Sequence, residues 1–496
     1  MTSNNVYRAP RNVREWVKLM EDNGMLHRIR EEVDLVEEMS GITYMVAKNA
    51  DSPALLFEKV KGYKDTNVLF NLIGSSKERY ALTLGLPVGS TPLEMIDMIR
   101  NRLKKTISPK MVGRESAPFY ENTVRGEQVN VSDFPAPKHW PLDGGNYIGT
   151  ATIVITKDPD TNVVNVGTYR QMVHNDKQVG VMYSPGKDGR LHMEKWFKQG
   201  KPMPIAAVWG INPIMMLVGS AGFPKNVSEY DHAGGLLGEA IEVVEGEVTG
   251  LPIPVNSEVV VEGYVYPDTK FEGPFGEFTG YYGRPGEAAP FIDIQAIHSR
   301  SNPILTGALM AEYPACEQEL FLAYMRSARL HDDFDRLGVP GIRGVYSIPQ
   351  AAAGFGMTVV SIEQQYPGHA AQALAIAAQS PSSAYFAKWI VAVDHDVDPT
   401  DVDQVLWAMA TRANPIDDID ILRNTWSTWL DPAQNPPEKR PYASKALINA
   451  CMQHQHLKTF SKRTTIRRSV YDKVVSNWER MGLPGKPPKI TAFHEE

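Results

Sequence analysis

Cysteine is scarce: only Cys316 and Cys451 occur in 496 residues. Two thiols exclude a disulfide framework, and neither belongs to a Cys-x-x-Cys pair, so both read as buried apolar fillers. Long hydrophobic runs are also missing. None reaches the roughly 18 to 20 residues that crossing a bilayer requires, and Met1-Thr2-Ser3-Asn4-Asn5-Val6-Tyr7-Arg8 lacks the apolar core of a secretory signal. These absences predict a reduced, cytoplasmic protein with no membrane association. Positive charge is in deficit, with 51 Lys and Arg against 58 Asp and Glu and a formal net charge of −7. The nearest thing to a basic block, Lys458, Lys462, Arg463, Arg467 and Arg468, has no interleaved aromatics and reads as a solvated helix or tail. Nucleic acid is therefore excluded as the main partner. The chain contains no GxSxG, GxxxxGK[ST] or HExxH motif, and His192, His298, His369 and His395 do not fall at metal-finger spacings.

What is present suits a globular enzyme: 43% hydrophobic and 22% charged residues, in a chain too long for one core. The first hundred residues mix helical and extended patterns. Thr91-Pro92-Leu93-Glu94 is a capping box with proline in the first turn, followed by Met95, Ile96, Ile99 and Leu103 at helical spacing. From about residue 115 the style changes to β-branched runs, at 151–156, 163–173, 179–183 and 258–266, with helices expected near 190–198 and 228–240. Many short strands indicate a barrel or sandwich. Beyond Pro303 a long amphipathic helix is predicted over 316–330. It precedes a strand–helix–strand–helix order that indicates a second α/β region with a largely parallel sheet. The polar tail beyond about 455 is expected to wrap a neighbour or fray.

The stretch Glu272-Gly273-Pro274-Phe275-Gly276-Glu277 holds two carboxylates among glycine, proline and aromatic residues, which continue through Phe278, Tyr281 and Tyr282. Such surroundings shed water and raise a carboxyl toward the range useful for proton transfer, although a glycine-rich surface turn has the same composition. In Asn165-Val166-Gly167-Thr168-Tyr169-Arg170 a guanidinium lies amid apolar residues and needs a partner, for which Glu272 or Glu277 would serve. On a flat strand Asn165 and Arg170 face opposite ways, so a bulge at Gly167 is expected to bring them to one site. Glu229, after the cap Ser228, could ligate a hard cation beside the Asn165 amide oxygen or simply complement a helix dipole. Lys388 opens a strand that ends in Asp394-His395-Asp396-Val397-Asp398, either a ligand-side cluster or an acidic helix start.

Together with Val227-Ser228-Glu229-Tyr230, Ala233-Gly234 and Tyr366-Pro367-Gly368-His369-Ala370, these motifs resemble the UbiD-type decarboxylases, which use prenylated FMN. The likeness runs through nearly the whole chain. It implies an α/β (α+β) chain with an N-terminal α/β domain over 1–115, a split β-barrel flavin-binding domain over 116–312, a linker helix over 313–332 and a C-terminal α/β oligomerisation domain over 333–496. It implies a cofactor phosphate held through Mn2+ with K+ nearby, a separate flavin prenyltransferase that supplies the cofactor, and a homo-oligomer. By resemblance, Asn165 and Glu229 are metal ligands; Thr168, Tyr169 and Arg170 line the cofactor; Lys187 and Lys388 meet its phosphate side. Arg170, Glu272 and Glu277 form the catalytic network, with Glu277 as proton donor. Gly186 stands where the family often has a third, histidine ligand; His192 is the nearest substitute. The implied activity is non-oxidative, potentially reversible decarboxylation of an aromatic, heteroaromatic or conjugated unsaturated acid. The rival readings are a flavin oxidoreductase with unmodified FMN and a non-catalytic subunit of a carboxylase complex.

Overall fold

The computed structural model describes residues 8–49, 51–184, 186–434, 442–488, 490 and 492–494. They form two compact units. One takes the chain up to Ala328, Pro349–Gly354 and a segment from Thr428; the other takes Arg329–Ile348, Phe355–Ser427 and the chain from Tyr442.

The first unit begins with the helix Val13–Asp22, capped by the Asn12 side chain, which accepts from the Glu15 N–H. Its apolar face, Val13, Trp16, Val17 and Met20, packs on Ala54, Leu56 and Leu69 of an adjoining sheet. That sheet runs Leu26–Ile29, Ala54–Phe57, Asn67–Phe70 and Ile304–Thr306, so its last strand arrives from far along the chain, parallel to Asn67–Phe70. The Thr91–Glu94 capping box forms, at the start of the helix Pro92–Leu103.

The central sheet is a curled half-barrel. Its strand order is Tyr147–Gly149, Gln171–Asn175, Gln178–Gly180, Phe291–Ser299, Val259–Val265, Met203–Trp209, Thr152–Lys157 and Val164–Gly167, with Asn122–Arg125 also paired to Phe291–Ser299. Every pairing along it is antiparallel. The inner face is filled by Ile205, Ala207, Trp209, Val259, Val261, Ile292 and Ile294. Helices Asp188–Lys198 and Glu229–Leu237 lie where the sequence places them, the second capped by Ser228 with Asp231 completing the box.

One buried carboxylate stabilises this sheet. Glu262 accepts from the N–H groups of Glu247 (2.9 Å), Val248 (3.1 Å) and Thr249 (2.9 Å), from the Thr249 hydroxyl (2.6 Å) and from His298 Nε2 (3.1 Å). Burial pushes its carboxyl up, but the bonds from His298 and Thr249 outweigh that and leave it below the ordinary value. A depressed folded-state value contributes stability above the unfolded value and loses it as pH falls through the folded one. Glu262→Gln is expected to lower stability by about 2–4 kcal/mol at neutral pH, a deficit that shrinks in acid. Thermal melts at pH 7 and pH 3.5 check this.

The amphipathic helix expected over 316–330 runs Glu319–Arg336, because Phe334 adds a further fully buried side chain before Gly338 takes a positive φ of 72°. In the second unit the sheet order is Ile342–Ser347, Met357–Ile362, Trp389–Asp394, Ala443–Ala450 and Ile419–Thr425. The three central strands are parallel but both edges are antiparallel, so the sheet is mixed rather than largely parallel. No helical crossover separates Ile342–Ser347 from Met357–Ile362, and parallel pairing requires one. In the tail beyond about 455, Arg468–Asn477 is a helix, and Tyr471 packs on Phe493 with ring centroids 5.4 Å apart. Among the described residues no helix is long and apolar enough to cross a membrane, and both cysteines are buried and free.

Candidate active site

The strand Val164–Gly167 pairs with Thr152–Lys157 without a register shift and ends at Gly167; the next strand starts at Gln171. The expected bulge is therefore absent. Thr168, Tyr169 and Arg170 lie between the two strands, where strand alternation no longer governs their directions. A Cβ on Gly167 would lie 2.5 Å from the Tyr169 ring, so glycine is what lets that ring pack against the strand end. The Thr168 N–H donates to the Gly219 carbonyl at 3.3 Å.

Beyond this segment the three charged residues singled out in the sequence converge. Arg170 donates from Nε to Glu272 Oε1 and from Nη2 to Glu272 Oε2, both at 2.9 Å, a bidentate pair. Its Nη1 donates to Glu277 Oε1. Glu272 is fully shielded, Glu277 is 9% exposed and Arg170 keeps 18%, so the guanidinium and Glu277 are the members that open outward. Phe275 covers the group, its ring 5.1 Å from Arg170 Cζ, and Tyr147 packs on Phe275 at 4.4 Å. Burial raises the Glu277 carboxyl above its ordinary value; Arg170 opposes this, and the charges of Glu272 and Asp143 add to it. Burial lowers the Arg170 value, but the two carboxylates outweigh it and hold the guanidinium charged. One partner acid is thus gripped by the guanidinium in a bidentate pair while the other is biased by burial to keep a proton. That is the division of labour a proton-delivering site needs.

A second centre lies around Asn165. Its Nδ2 donates to Thr156 Oγ1 at 3.1 Å, and the neighbouring Val166 N–H donates to Glu229 Oε2 at 2.7 Å. Glu229 opens the helix Glu229–Leu237, is buried, and has a carboxyl pushed by burial up to about 7. A buried carboxylate next to an amide oxygen donor suits a hard divalent cation that takes its other ligands from phosphate and water. His192 shares a partner with Asn165: its Nδ1 bonds Thr156 Oγ1 at 3.0 Å, its Nε2 lies 3.9 Å from Asp158, and burial keeps the ring below its ordinary value. Gly186 has φ +81°. Among the described residues no three His, Cys, Asp or Glu side chains form a metal cluster. The Tyr169 hydroxyl accepts from the Gly189 N–H at 3.1 Å, tying the Arg170 segment to the helix Asp188–Lys198, whose N-cap is Lys187.

Lys388 belongs to the second unit, where its Nζ lies 5.4 Å from the Phe386 ring centre. The acidic cluster after it is tied up internally. Arg412 donates to Asp394 at 3.0 Å and to Asp396 at 2.8 and 2.7 Å, and the Met452 N–H donates to Asp394 at 2.6 Å. Of the aromatic residues beside the acids, Phe278 is buried, Tyr281 is exposed, and the Tyr282 hydroxyl accepts from the Leu142 N–H at 3.0 Å.

Sequence reasoning missed Asp143, Tyr147 and His174. The Tyr147 hydroxyl donates to the Pro274 carbonyl at 3.4 Å. His174 Nε2 and the Glu272 Cγ flank Gly180, 3.3 and 3.6 Å from where its Cβ would be. Asp143 sits in Trp140-Pro141-Leu142-Asp143-Gly144-Gly145, a strong turn signature that says nothing about which distant loop it will grip.

Models of the 3-octaprenyl-4-hydroxybenzoate carboxy-lyase family match the chain in three consecutive stretches: its N-terminal domain over 17–99, its Rift-related domain over 110–313 and its C-terminal domain over 319–450. A phenolic acid decarboxylase of Sedimentibacter hydroxybenzoicus is 32% identical over 437 residues, 86% of this chain and 89% of that protein. The structure of vanillic acid decarboxylase from the same organism, in closed form, aligns with a TM-score of 0.84 at 29% identity, covering 96% of this chain and 100% of that one. An evolved dimeric form of the UbiD-class enzyme HmfF from Pelotomaculum thermopropionicum, in complex with prFMN, aligns with a TM-score of 0.78 at 28% identity, covering 92% and 97%.

Proposed function

Because the chain belongs to the UbiD family of carboxy-lyases and is a decarboxylase of that class, we propose that it removes carbon dioxide from an aromatic, heteroaromatic or conjugated unsaturated acid at the Arg170–Glu272–Glu277 site. The observation that carries this reading is the buried guanidinium bonded to both acids at once. The phenolic acid and vanillic acid decarboxylases among its relatives favour an aromatic acid as substrate.

Prenylated FMN, when bound, supplies an electron sink for the bond pair that a departing carboxylate leaves behind. Asn165 and Glu229 would hold a divalent cation, Mn2+ by family resemblance, at the cofactor phosphate, with Lys187 on the phosphate side and K+ nearby. Thr168 and Tyr169 would line the ring system. Arg170 holds Glu277 by one donor and is itself fixed by the two bonds to Glu272, so the acid keeps one orientation. Glu277 then delivers its proton to the carbon that lost carbon dioxide. In the reverse direction the same group, ionised, takes that proton back, which makes the chemistry reversible. Phe275 and Tyr147 keep water from the network, which strengthens every charge interaction inside it. A flavin prenyltransferase would supply the cofactor, and the assembly would be a homo-oligomer.

Carbon dioxide release from a panel of aryl and acrylic acids tests the reading, with protein matured in the presence or absence of the prenyltransferase. Release from an aryl acid only after maturation is expected. Nicotinamide-dependent flavin reduction without release would favour the oxidoreductase instead, and inertness in both assays a non-catalytic subunit. A separate expectation concerns Asn165→Ala: metal content and flavin content fall together by at least about tenfold, read by elemental analysis and absorbance. Undiminished binding of both would remove Asn165 from the cation site.

A further inference from the structure

We propose that Asp143 is a positioning residue for the proton donor, fixing the loop that carries Glu277 by gripping it beside the donor. This rests on Glu277 as the donor and extends that assignment to a residue that touches neither substrate nor cofactor.

The grip has two sides. Asp143 Oδ1 accepts from the Gly276 N–H at 2.9 Å, next to Glu277, while the Gly144 N–H donates to the Pro274 carbonyl at 2.8 Å. Phe275, the residue over Arg170, is thereby held between two bonds from one short turn. The turn is itself closed: Asp143 Oδ2 accepts from the Trp140 N–H at 3.0 Å, the Asp143 N–H donates to the Trp140 carbonyl at 3.0 Å, and the Trp140 indole donates to the Met310 carbonyl at 3.1 Å. The approach is so close that a Cβ on Gly144 would lie 1.9 Å from the Gly273 carbonyl oxygen. On the far side, the Glu277 N–H donates to the Tyr281 carbonyl at 3.0 Å. The loop is thus clamped on both flanks of the acid.

Asp143 is 4% exposed, and a buried carboxylate is a costly way to accept two backbone bonds if positioning were its only effect. Its charge also bears on the donor. The groups facing Glu277 are Arg170 from the segment after Gly167, Glu272 from the end of the strand Lys270–Glu272 and Asp143 from the 140–144 turn. Asp143 in turn faces Lys138 and the neutral, buried His139. Two neighbouring anions make the ionised form of Glu277 less favourable and offset the pull of Arg170.

Asp143→Asn separates these effects from mere scaffolding, because it keeps an acceptor for Gly276 and removes the charge. With the cofactor-loaded enzyme, kcat is expected to fall about tenfold at unchanged KM, and the basic limb of the kcat profile to move down by roughly half a pH unit or more. The direction follows from the sign: losing an anion makes Glu277 more acidic, so it surrenders its proton at lower pH. Asp143→Glu, which keeps the charge but displaces the acceptor, is expected to lower kcat while leaving that limb in place. Wild-type kcat and limb in Asp143→Asn, with Glu277→Gln inactive, would overturn the Asp143 role alone. An active Glu277→Gln would instead overturn the donor assignment beneath it. If neither Asp143 variant retains flavin, the residue is a general scaffold element and the proposal fails.

Discussion

Replacing Glu277 by Gln is expected to cut turnover by about 10³-fold or more while flavin absorbance and melting temperature stay near those of the parent enzyme. General acid catalysis contributes roughly 10²–10⁴-fold, and Gln keeps the acceptor oxygen that Arg170 Nη1 uses but has no proton to give near neutral pH. Carbon dioxide release and solvent-deuterium incorporation into the product are the two readouts. If both persist at wild-type rates, Glu277 is not the donor. The pH profile carries the same information. The group works only when protonated, so activity falls as pH rises through its value, and burial has raised that value. The basic limb is therefore expected above the ordinary carboxyl range, and absent in any residual activity of Glu277→Gln.

Arg170→Ala is expected to be the most destabilising single change in the site, by about 3–5 kcal/mol, because it leaves buried acids without their cation. Glu272 loses two bonds and Glu277 one. The loss grows with pH. Without Arg170 only the terms that raise Glu277 remain, so its folded value stands above the unfolded one. Stability is then fullest below the unfolded value and declines as pH rises through the folded one. Melting curves at pH 5.5 and pH 8 should show the gap to the parent widening at the higher pH. An unchanged gap would mean the acids find other partners. Turnover is expected to fall with it, since the donor loses its orientation.

Arg170, Glu272 and Glu277 were legible because their chemistry contradicts their surroundings. A guanidinium amid valines, and acids amid rings and glycines, demand partners wherever the chain takes them. Pairing them needed only the requirement of charge balance. The path between them was not legible. A bulge at Gly167 was a reasonable way to turn Arg170, but the strand simply ends there. Local composition does not distinguish a bulge from a strand end. Asp143 was invisible for a related reason: its turn chemistry is local, but its partner Gly276 is a backbone N–H more than a hundred positions away, and a backbone donor has no signature in the sequence. The acidic run from Asp394 to Asp398 left two readings open, a ligand-side cluster or an acidic helix start, and the sequence does not show that Arg412, one helix later, engages Asp394 and Asp396.

By itself the sequence determined the element types over most of the chain, the capped helix starts at Thr91 and Ser228, and the identity of the charged trio. These follow from periodicity, capping and desolvation cost, which act on residues wherever they fold. Only the tertiary structure decided that Ile304–Thr306 completes the first sheet, that the sheet of the second unit has antiparallel edges, and that a turn at 140–144 grips the Glu277 loop. Those outcomes depend on hydrogen bonds between main-chain groups that are the same in every residue, so it is packing of the whole chain that selects among them.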